Sequence, residues 1–198
     1  KEEWLTAENN QEDESAGFRE IPFSRELYIE KEDFKEEANR KFFRLTLGKE
    51  VRLKNAYIIK GESVEKDEEG NITAIYCTYD PKSKSGSGSE ESMRKVKGTL
   101  HWVSAANALD IEVRHYDRLF MDEAPDSHKD KDFMEFLNPD SLKITQGKAE
   151  PGLSEAKTGD RFQFQRMGYF CVDKESKKDA PVFNKVVGLR DNWAKKKE

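Results

Sequence analysis

Between Arg161 and Phe170 the chain reads Arg-Phe-Gln-Phe-Gln-Arg-Met-Gly-Tyr-Phe, interleaving aromatic rings with amide and guanidinium side chains at the two-residue repeat of a strand. Ring faces stack on nucleobases of any identity, whereas glutamine and arginine address base edges through paired hydrogen bonds. A strand carrying both could supply affinity and selectivity for a nucleic acid together. The same pattern also fits a half-buried hairpin strand with Phe162 and Phe164 inward and Gln163 and Gln165 outward. A second set of candidates is cationic: Lys41, Arg44, Arg52, Lys54, Arg166, Lys185, Arg190 and Lys195 to Lys197. Taken singly, each reads by default as a solvated surface charge.

Little else in the chain resembles a catalytic centre. His101, His115 and His128 have no cysteine or carboxylate at metal-ligand spacing, and a surface or satisfied-core histidine is the ordinary reading of each. Gly86 and Gly88 sit among serines rather than between a strand and a helix, so they form no phosphate-cradling loop. The serines have no recognisable base partner, and the carboxylates fall in mixed-charge runs typical of solvated faces. Cys77 and Cys171 offer neither a metal spacing nor a disulfide framework, and each lies in an apolar run, which predicts buried free thiols in a reducing cytoplasm.

Composition narrows the class further. With 198 residues the chain can form one large or two small domains. Apolar content of 35% and charged content of 38% are extreme, yet 11% aromatics and a net charge of only -5 argue for a folded, polar-surfaced protein rather than a disordered one. Net acidity counts against a simple polyanion binder, so a nucleic-acid site must be a local positive patch on an acidic body. No apolar run approaches membrane-spanning length and the N-terminus lacks a secretion signal, which predicts a soluble cytoplasmic protein. The opening Lys-Glu-Glu-Trp-Leu-Thr-Ala-Glu-Asn-Asn reads as the middle of a longer chain.

The elements that must position these residues are mostly short strands, beginning with Leu27-Tyr28-Ile29. Residues 32 to 45 form the clearest helical pattern: Phe34, Ala38, Phe42 and Leu45 share one arc, acidic residues lie early and basic ones late, and Lys41 and Arg44 flank one edge of the stripe. Gly48 is its expected cap. A strand over 51–59 would place Arg52 and Lys54 on one face. A turn at Asp67-Glu68-Glu69-Gly70-Asn71 leads to a strand over 72–79. Further strands are expected at 95–103, 111–120, 142–146, from 161, 170–172 and 182–187, with a short helical stretch over 133–137 stopped by Asn138-Pro139. The last residues, 195–198, are expected to be disordered. Ten or so short strands with one helix predict a mainly β chain of barrels or sandwiches, in two modules: residues 1–92 and 93–198, with the seam in the Gly/Ser-rich loop at 82–92.

Several runs go beyond pattern. Phe43-Arg44-Leu45-Thr46-Leu47-Gly48-Lys49-Glu50-Val51-Arg52-Leu53-Lys54-Asn55-Ala56-Tyr57, Lys95-Val96-Lys97-Gly98-Thr99-Leu100-His101-Trp102-Val103-Ser104-Ala105, Tyr116-Asp117-Arg118-Leu119-Phe120, the 162–170 stretch and Val187-Gly188-Leu189-Arg190-Asp191 resemble, in order, the C-terminal anticodon-binding region of bacterial glutaminyl-tRNA synthetases. The resemblance runs from about Trp4 to Lys195. It implies two six-stranded β-barrels of the ribosomal protein L25-like type with a few short helices, gripping the anticodon loop of glutamine tRNA.

By the same resemblance, Arg44 matches the arginine that reads guanine at the third anticodon position, Gln163 and Arg166 the pair at the central uridine, and Arg52 an arginine near the first position. Lys54 stands where an arginine is familiar, exchanging a planar fork for a point cation at the first-position pocket. Lys41 stands where a glutamine is familiar and is expected as a polar or phosphate contact, and Phe43 replaces a lysine with a ring face. The two nucleotide-binding signatures of the family's catalytic domain are absent from this chain. The resemblance therefore implies a non-catalytic, cofactor-free, monomeric RNA-binding region. Its partners would be glutamine tRNA and an N-terminal catalytic domain that joins glutamine to tRNA with ATP and magnesium. The alternatives it leaves are the related region of a glutamyl-tRNA synthetase, or a free-standing barrel of the same kind that binds ribosomal RNA or protein.

Overall fold

Alternation of apolar and polar residues builds the start of the chain. Glu3–Glu8 (β1) buries Leu5 and Ala7, exposes Trp4, Thr6 and Glu8, and pairs antiparallel with Phe18–Phe23 (β2). The sequence reading places no element before residue 24, so this hairpin is an addition to it. The computed structural model describes residues 2–189; the expectation for residues 195–198 lies outside them. The chain divides into two compact units, Lys1–Ala108 and Leu109–Glu198.

In the first unit, Leu27–Tyr28 (β3) is followed by Glu50–Leu53 (β4), Ile58–Lys66 (β5) and Ile72–Asp80 (β6). After the one-turn helix Glu90–Met93 (α1) come Thr99–Leu100 (β7) and Val103–Ser104 (β8). A four-stranded sheet runs β6-β5-β4-β7, with β7 parallel to β4, while β8 pairs with β3. Val51, Leu53 and Leu100 are fully enclosed beneath this sheet. Because β7 and β8 return to β4 and β3, the Gly/Ser loop lies inside the first unit. The expected turn after β5 is present, with Asp67 Oδ1 accepting from the amides of Glu69 (3.0 Å) and Asn71 (2.8 Å).

Two local expectations fail there. The helix over 32–45 does not form: only Lys31–Asp33 makes a 3₁₀ turn, and after Phe34 the chain runs through bends and a turn to Leu45. Phe34 and Leu45 are drawn into the core, and the amide of Lys35 donates to the Leu45 carbonyl (3.1 Å) while that of Leu45 donates to Asp33 (3.0 Å), replacing the bonds a helix would make. A stripe with helical spacing has little intrinsic stability at this length, so tertiary pairing decides. The strand over 51–59 is likewise broken after Leu53 by a tight turn in which Asn55 takes φ 58°.

The second unit contains Leu109–Tyr116 (β9), Leu142–Ala149 (β10), Arg161–Phe164 (β11), Gly168–Val172 (β12) and Val182–Val187 (β13). They form one sheet in the order β10-β9-β13-β12-β11, in which β13 runs parallel to β9 and the other neighbours are antiparallel. Its core holds Phe170 and Phe183, both enclosed, with Ile111 and Val113 beside them. The expected helical stretch near 133 is a 3₁₀ turn, Phe133–Phe136, with Asp132 Oδ1 accepting from the Met134 amide (2.9 Å) and Glu135 Oε1 from the Asp132 amide (3.0 Å).

The mainly β class expected from the sequence is what the chain adopts, although the hydrogen-bonded ladders among the described residues run as open sheets rather than closed rings of six strands. Cys77 departs from its expected burial: it is exposed on edge strand β6, whereas Cys171 is half-buried, and both are free thiols. Among the described residues no helix is long and apolar enough to cross a membrane.

Candidate nucleic-acid interface

The segment that fails to become a helix makes a closed loop instead. A parallel bridge joins Phe34 to Leu45, and Thr46 Oγ1 donates to the Glu36 carbonyl (3.0 Å), so residues 36–44 project from a pinned base. Asn39 Oδ1 accepts from the Lys41 amide (3.0 Å), setting the turn at the tip. Gly98 passes close beneath: a Cβ there would lie 2.3 Å from the Phe43 carbonyl oxygen, and its φ is 126°, so only glycine permits this approach.

An open pocket of about 730 Å³ lies against this loop, lined by Lys31, Glu32, Phe34, Lys35, Lys41, Phe42, Phe43 and Arg44. Lys41 and Arg44, expected together on a helix edge, do meet, but as two walls of a loop pocket. Lys35 Nζ lies 5.3 Å from the Phe42 ring centroid, and Lys97 Nζ lies 5.6 Å from that of Phe43. Arg44 Nη1 lies 3.1 Å from Asp33 Oδ1 and donates to the Glu32 carbonyl at 3.3 Å. The pocket thus gathers four cations, the guanidinium of Arg44 among them, beside the rings of Phe42 and Phe43, with Glu32 the one acidic lining residue, an arrangement chemically suited to an anionic or planar group. Sequence reasoning missed Lys31, Lys35 and Phe42 as lining residues: the helical spacing assigned Phe42 to a core stripe, and no local pattern singles out the two lysines.

Arg52 and Lys54 are placed differently. Half-buried on β4, Arg52 donates through Nη1 to the Ser83 carbonyl (3.1 Å) and Ser85 Oγ (3.2 Å), and through Nη2 to the carbonyls of Ser92 (2.7 Å) and Arg94 (3.3 Å). Burial, and after it the charge of Arg94, push its guanidinium below the ordinary arginine value. Its terminal donors thus clamp the segment between β6 and β7. Lys54 follows the end of β4: its amide donates to Leu100 (2.9 Å) and its carbonyl accepts from Trp102 Nε1 (2.9 Å). Strand alternation therefore does not put Lys54 on the face of Arg52.

In the second unit, the Arg161–Phe170 stretch is a hairpin rather than a single strand. Phe162 stands opposite Phe170, Gln163 opposite Tyr169 and Phe164 opposite Gly168. Phe164 stacks on Phe170 at 4.3 Å and meets Phe183 at 5.2 Å, and Phe162 meets Phe183 at 6.2 Å, so these two rings, two residues apart on one strand face, serve the core. Gln163 is exposed, and its cross-strand neighbour Tyr169 is 47% exposed.

Positions three apart point to opposite faces of a straight strand, which would have separated Gln163 from Arg166. The turn removes that conflict: the Met167 amide donates to Phe164 (2.9 Å) and Arg166 takes φ 62°, so both residues belong to the turn end of one hairpin. Gly168, at φ 137°, has no room for a Cβ, which would lie 2.4 Å from the Val187 carbonyl oxygen. Tyr169 is the surface ring that the sequence pattern held but did not single out. Among the described residues no group of three or more histidine, cysteine or acidic side chains could hold a metal ion.

Two family models, both described as tRNA synthetases class I (E and Q), anti-codon binding domain, match this chain, one over residues 1–80 and the other over 99–173. Glutamine–tRNA ligase of Rhodopirellula baltica is 55% identical over 196 residues, covering 98% of this chain and 32% of that protein. The glutamine–tRNA ligases of Proteus mirabilis (55%) and Escherichia coli O157:H7 (54%) each match over 194 residues, 98% of this chain and 34% of theirs. The chain thus spans about a third of the length of the curated relatives it matches. Both models carry the same description and between them reach into both units, and the alignments to these relatives cover 98% of the chain: the chain belongs to the anticodon-binding domain family of the class I tRNA synthetases for E and Q.

Proposed function

We propose that this chain recognises the anticodon loop of glutamine tRNA and acts as the tRNA-selecting part of a glutamine–tRNA ligase. The observation that carries the reading is the loop pocket, in which Lys31, Lys35, Lys41 and Arg44 surround the exposed ring of Phe43 and the half-buried ring of Phe42 on a body of net charge -5. A local cationic pocket of this kind attracts phosphate while its rings take up an unstacked base. In this reading Arg44 addresses guanine at the third anticodon position, where O6 and N7 accept in parallel, and Phe43, 52% exposed, offers a stacking face. Lys41 contacts phosphate. Gln163 and Arg166 address the central uridine, the amide donating to a carbonyl and accepting from N3–H.

Arg52 serves the first-position region by holding the segment from Ser83 to Arg94 in place, and Lys54 supplies a point charge there. The chain itself works without a cofactor, as a cytoplasmic monomer. Ligation with ATP and magnesium belongs to a catalytic domain of the same polypeptide.

Direct binding to glutamine tRNA transcripts, altered one anticodon base at a time at fixed salt, tests the proposal. The expected result is a loss of affinity at each altered base, with Arg44→Ala abolishing only the preference for guanine at the third position. Equal affinity for all transcripts would overturn it.

A further inference from the structure

RNA contact does not account for the carboxylate of Asp33. Its side chain is 1% exposed at the end of the Lys31–Asp33 turn, and its Oδ1 lies 3.1 Å from Arg44 Nη1. The Glu32 carbonyl accepts from that same nitrogen at 3.3 Å. Both partners of the guanidinium therefore converge on Nη1. A guanidinium distributes its N–H groups over three nitrogens in one plane, and Nε with Nη2 forms a side-on edge able to give two parallel bonds. Among the described residues no protein acceptor engages that edge.

Resting on the reading of Arg44 given above, we infer that Asp33 is a positioning residue. It fixes the guanidinium through Nη1 and turns the Nε–Nη2 edge toward the O6 and N7 acceptors of guanine. The pairing also explains why a carboxylate is tolerated inside an RNA-binding unit: its charge is spent on the arginine rather than presented to phosphate. Asp33 is enclosed while the Arg44 side chain stays 40% exposed, so the pair is anchored at its carboxylate end and leaves the rest of the guanidinium open to a base. Arginine alone would contact guanine; arginine held by Asp33 would discriminate, because the fork meets the base already oriented.

The test compares transcripts carrying guanine or adenine at the third anticodon position, bound to the unaltered chain, Asp33→Asn, Arg44→Lys and the double variant, with circular dichroism monitoring the fold. Asp33→Asn should lower the guanine preference about tenfold, while affinity for the adenine transcript changes little. Arg44→Lys, which keeps a cation but lacks the fork, should lose the same preference, and adding Asp33→Asn to it should reduce the preference no further. In the unaltered chain, the Nε–H resonance of Arg44 should move on adding the guanine transcript and stay in place with adenine. If the unaltered chain has no guanine preference, the reading of Arg44 falls and this inference with it. If it prefers guanine but Asp33→Asn weakens both transcripts equally, or the Nε–H signal does not move, Arg44 remains a reader and Asp33 is only structural.

Discussion

Arg52 Nη2 donates to the carbonyl of Ser92 at 2.7 Å, joining strand β4 to a residue forty positions later in the chain. With the bonds to Ser83, Ser85 and Arg94, one side chain grips both ends of the segment, beside the bonds from the Ser85 amide and hydroxyl to the Ala56 carbonyl. Arg52→Ala should lower stability by about 2–3 kcal/mol, since it leaves several carbonyls without their charged donor. Arg52→Lys should rescue little of this, because a point cation cannot span both pairs of acceptors. Chemical denaturation gives the stability, and faster amide exchange in residues 83–94 would locate the loss. Unchanged exchange there would show that the segment holds itself.

Gly168→Ala should be among the costliest single-methyl additions in the second unit. The new Cβ would meet the backbone oxygen of Val187 at 2.4 Å, and φ 137° is a conformation that alanine resists. A loss of about 2 kcal/mol or more is expected in thermal or denaturant unfolding. Since the hairpin carries Gln163 and Arg166, RNA affinity should fall with it. Wild-type stability in this variant would mean that β12 and β13 are not pressed together as described.

Tyr169 and Gln163 should separate affinity from selectivity. Tyr169→Ala should weaken binding about tenfold whichever base occupies the centre of the anticodon, and Tyr169→Phe should bind normally, because stacking needs the ring and not the hydroxyl. Gln163→Ala should instead erase the preference for uridine at that position. Titration of transcripts varied at the central base checks both; a Tyr169→Ala chain that binds as well as the parent would remove the ring from the interface.

His115 gives the second unit a pH dependence. Burial first, then the charges of Lys185 and Lys143, lower its pKa from the ordinary 6.5, and its Nε2 lies 3.1 Å from Thr145 Oγ1. The unfolded chain therefore binds this proton more readily than the folded one, and stability from this site falls as pH drops below about 6.5 until the lowered folded value is passed. His115→Gln should flatten the stability profile in that interval. An unchanged slope would assign the effect to other groups.

How much of this was readable in advance differs from segment to segment. β13 at 182–187 and the turn after Asp67 follow directly from local signals, a β-rich run and an Asp-to-Asn turn cluster, and both form where expected. β1 also obeys strict alternation, with Leu5 and Ala7 inward, on only two buried apolar side chains. The 32–45 helix misled because Phe34 and Leu45 are core residues at helical spacing whose burial comes from pairing with each other across a loop. No local rule encodes that contact. At the candidate sites, the types and positions of Arg44, Gln163 and Arg166 were legible. The partner that holds Arg44, the clamp made by Arg52 and the ring opposite Gln163 required the folded register.

Among the described residues β13 is the last strand in sequence, yet it stands between β9 and β12 in the sheet order. During synthesis, the two outer strand pairs of the second unit have no ladder joining them until residues 182–187 leave the ribosome, and the stacked rings of Phe164 and Phe170 lack their cover from Phe183. The hairpin that carries Gln163 and Arg166 thus spends its first moments with an open strand edge and uncovered phenyl rings, a window in which holding by chaperones counts and a stalled chain is prone to aggregate.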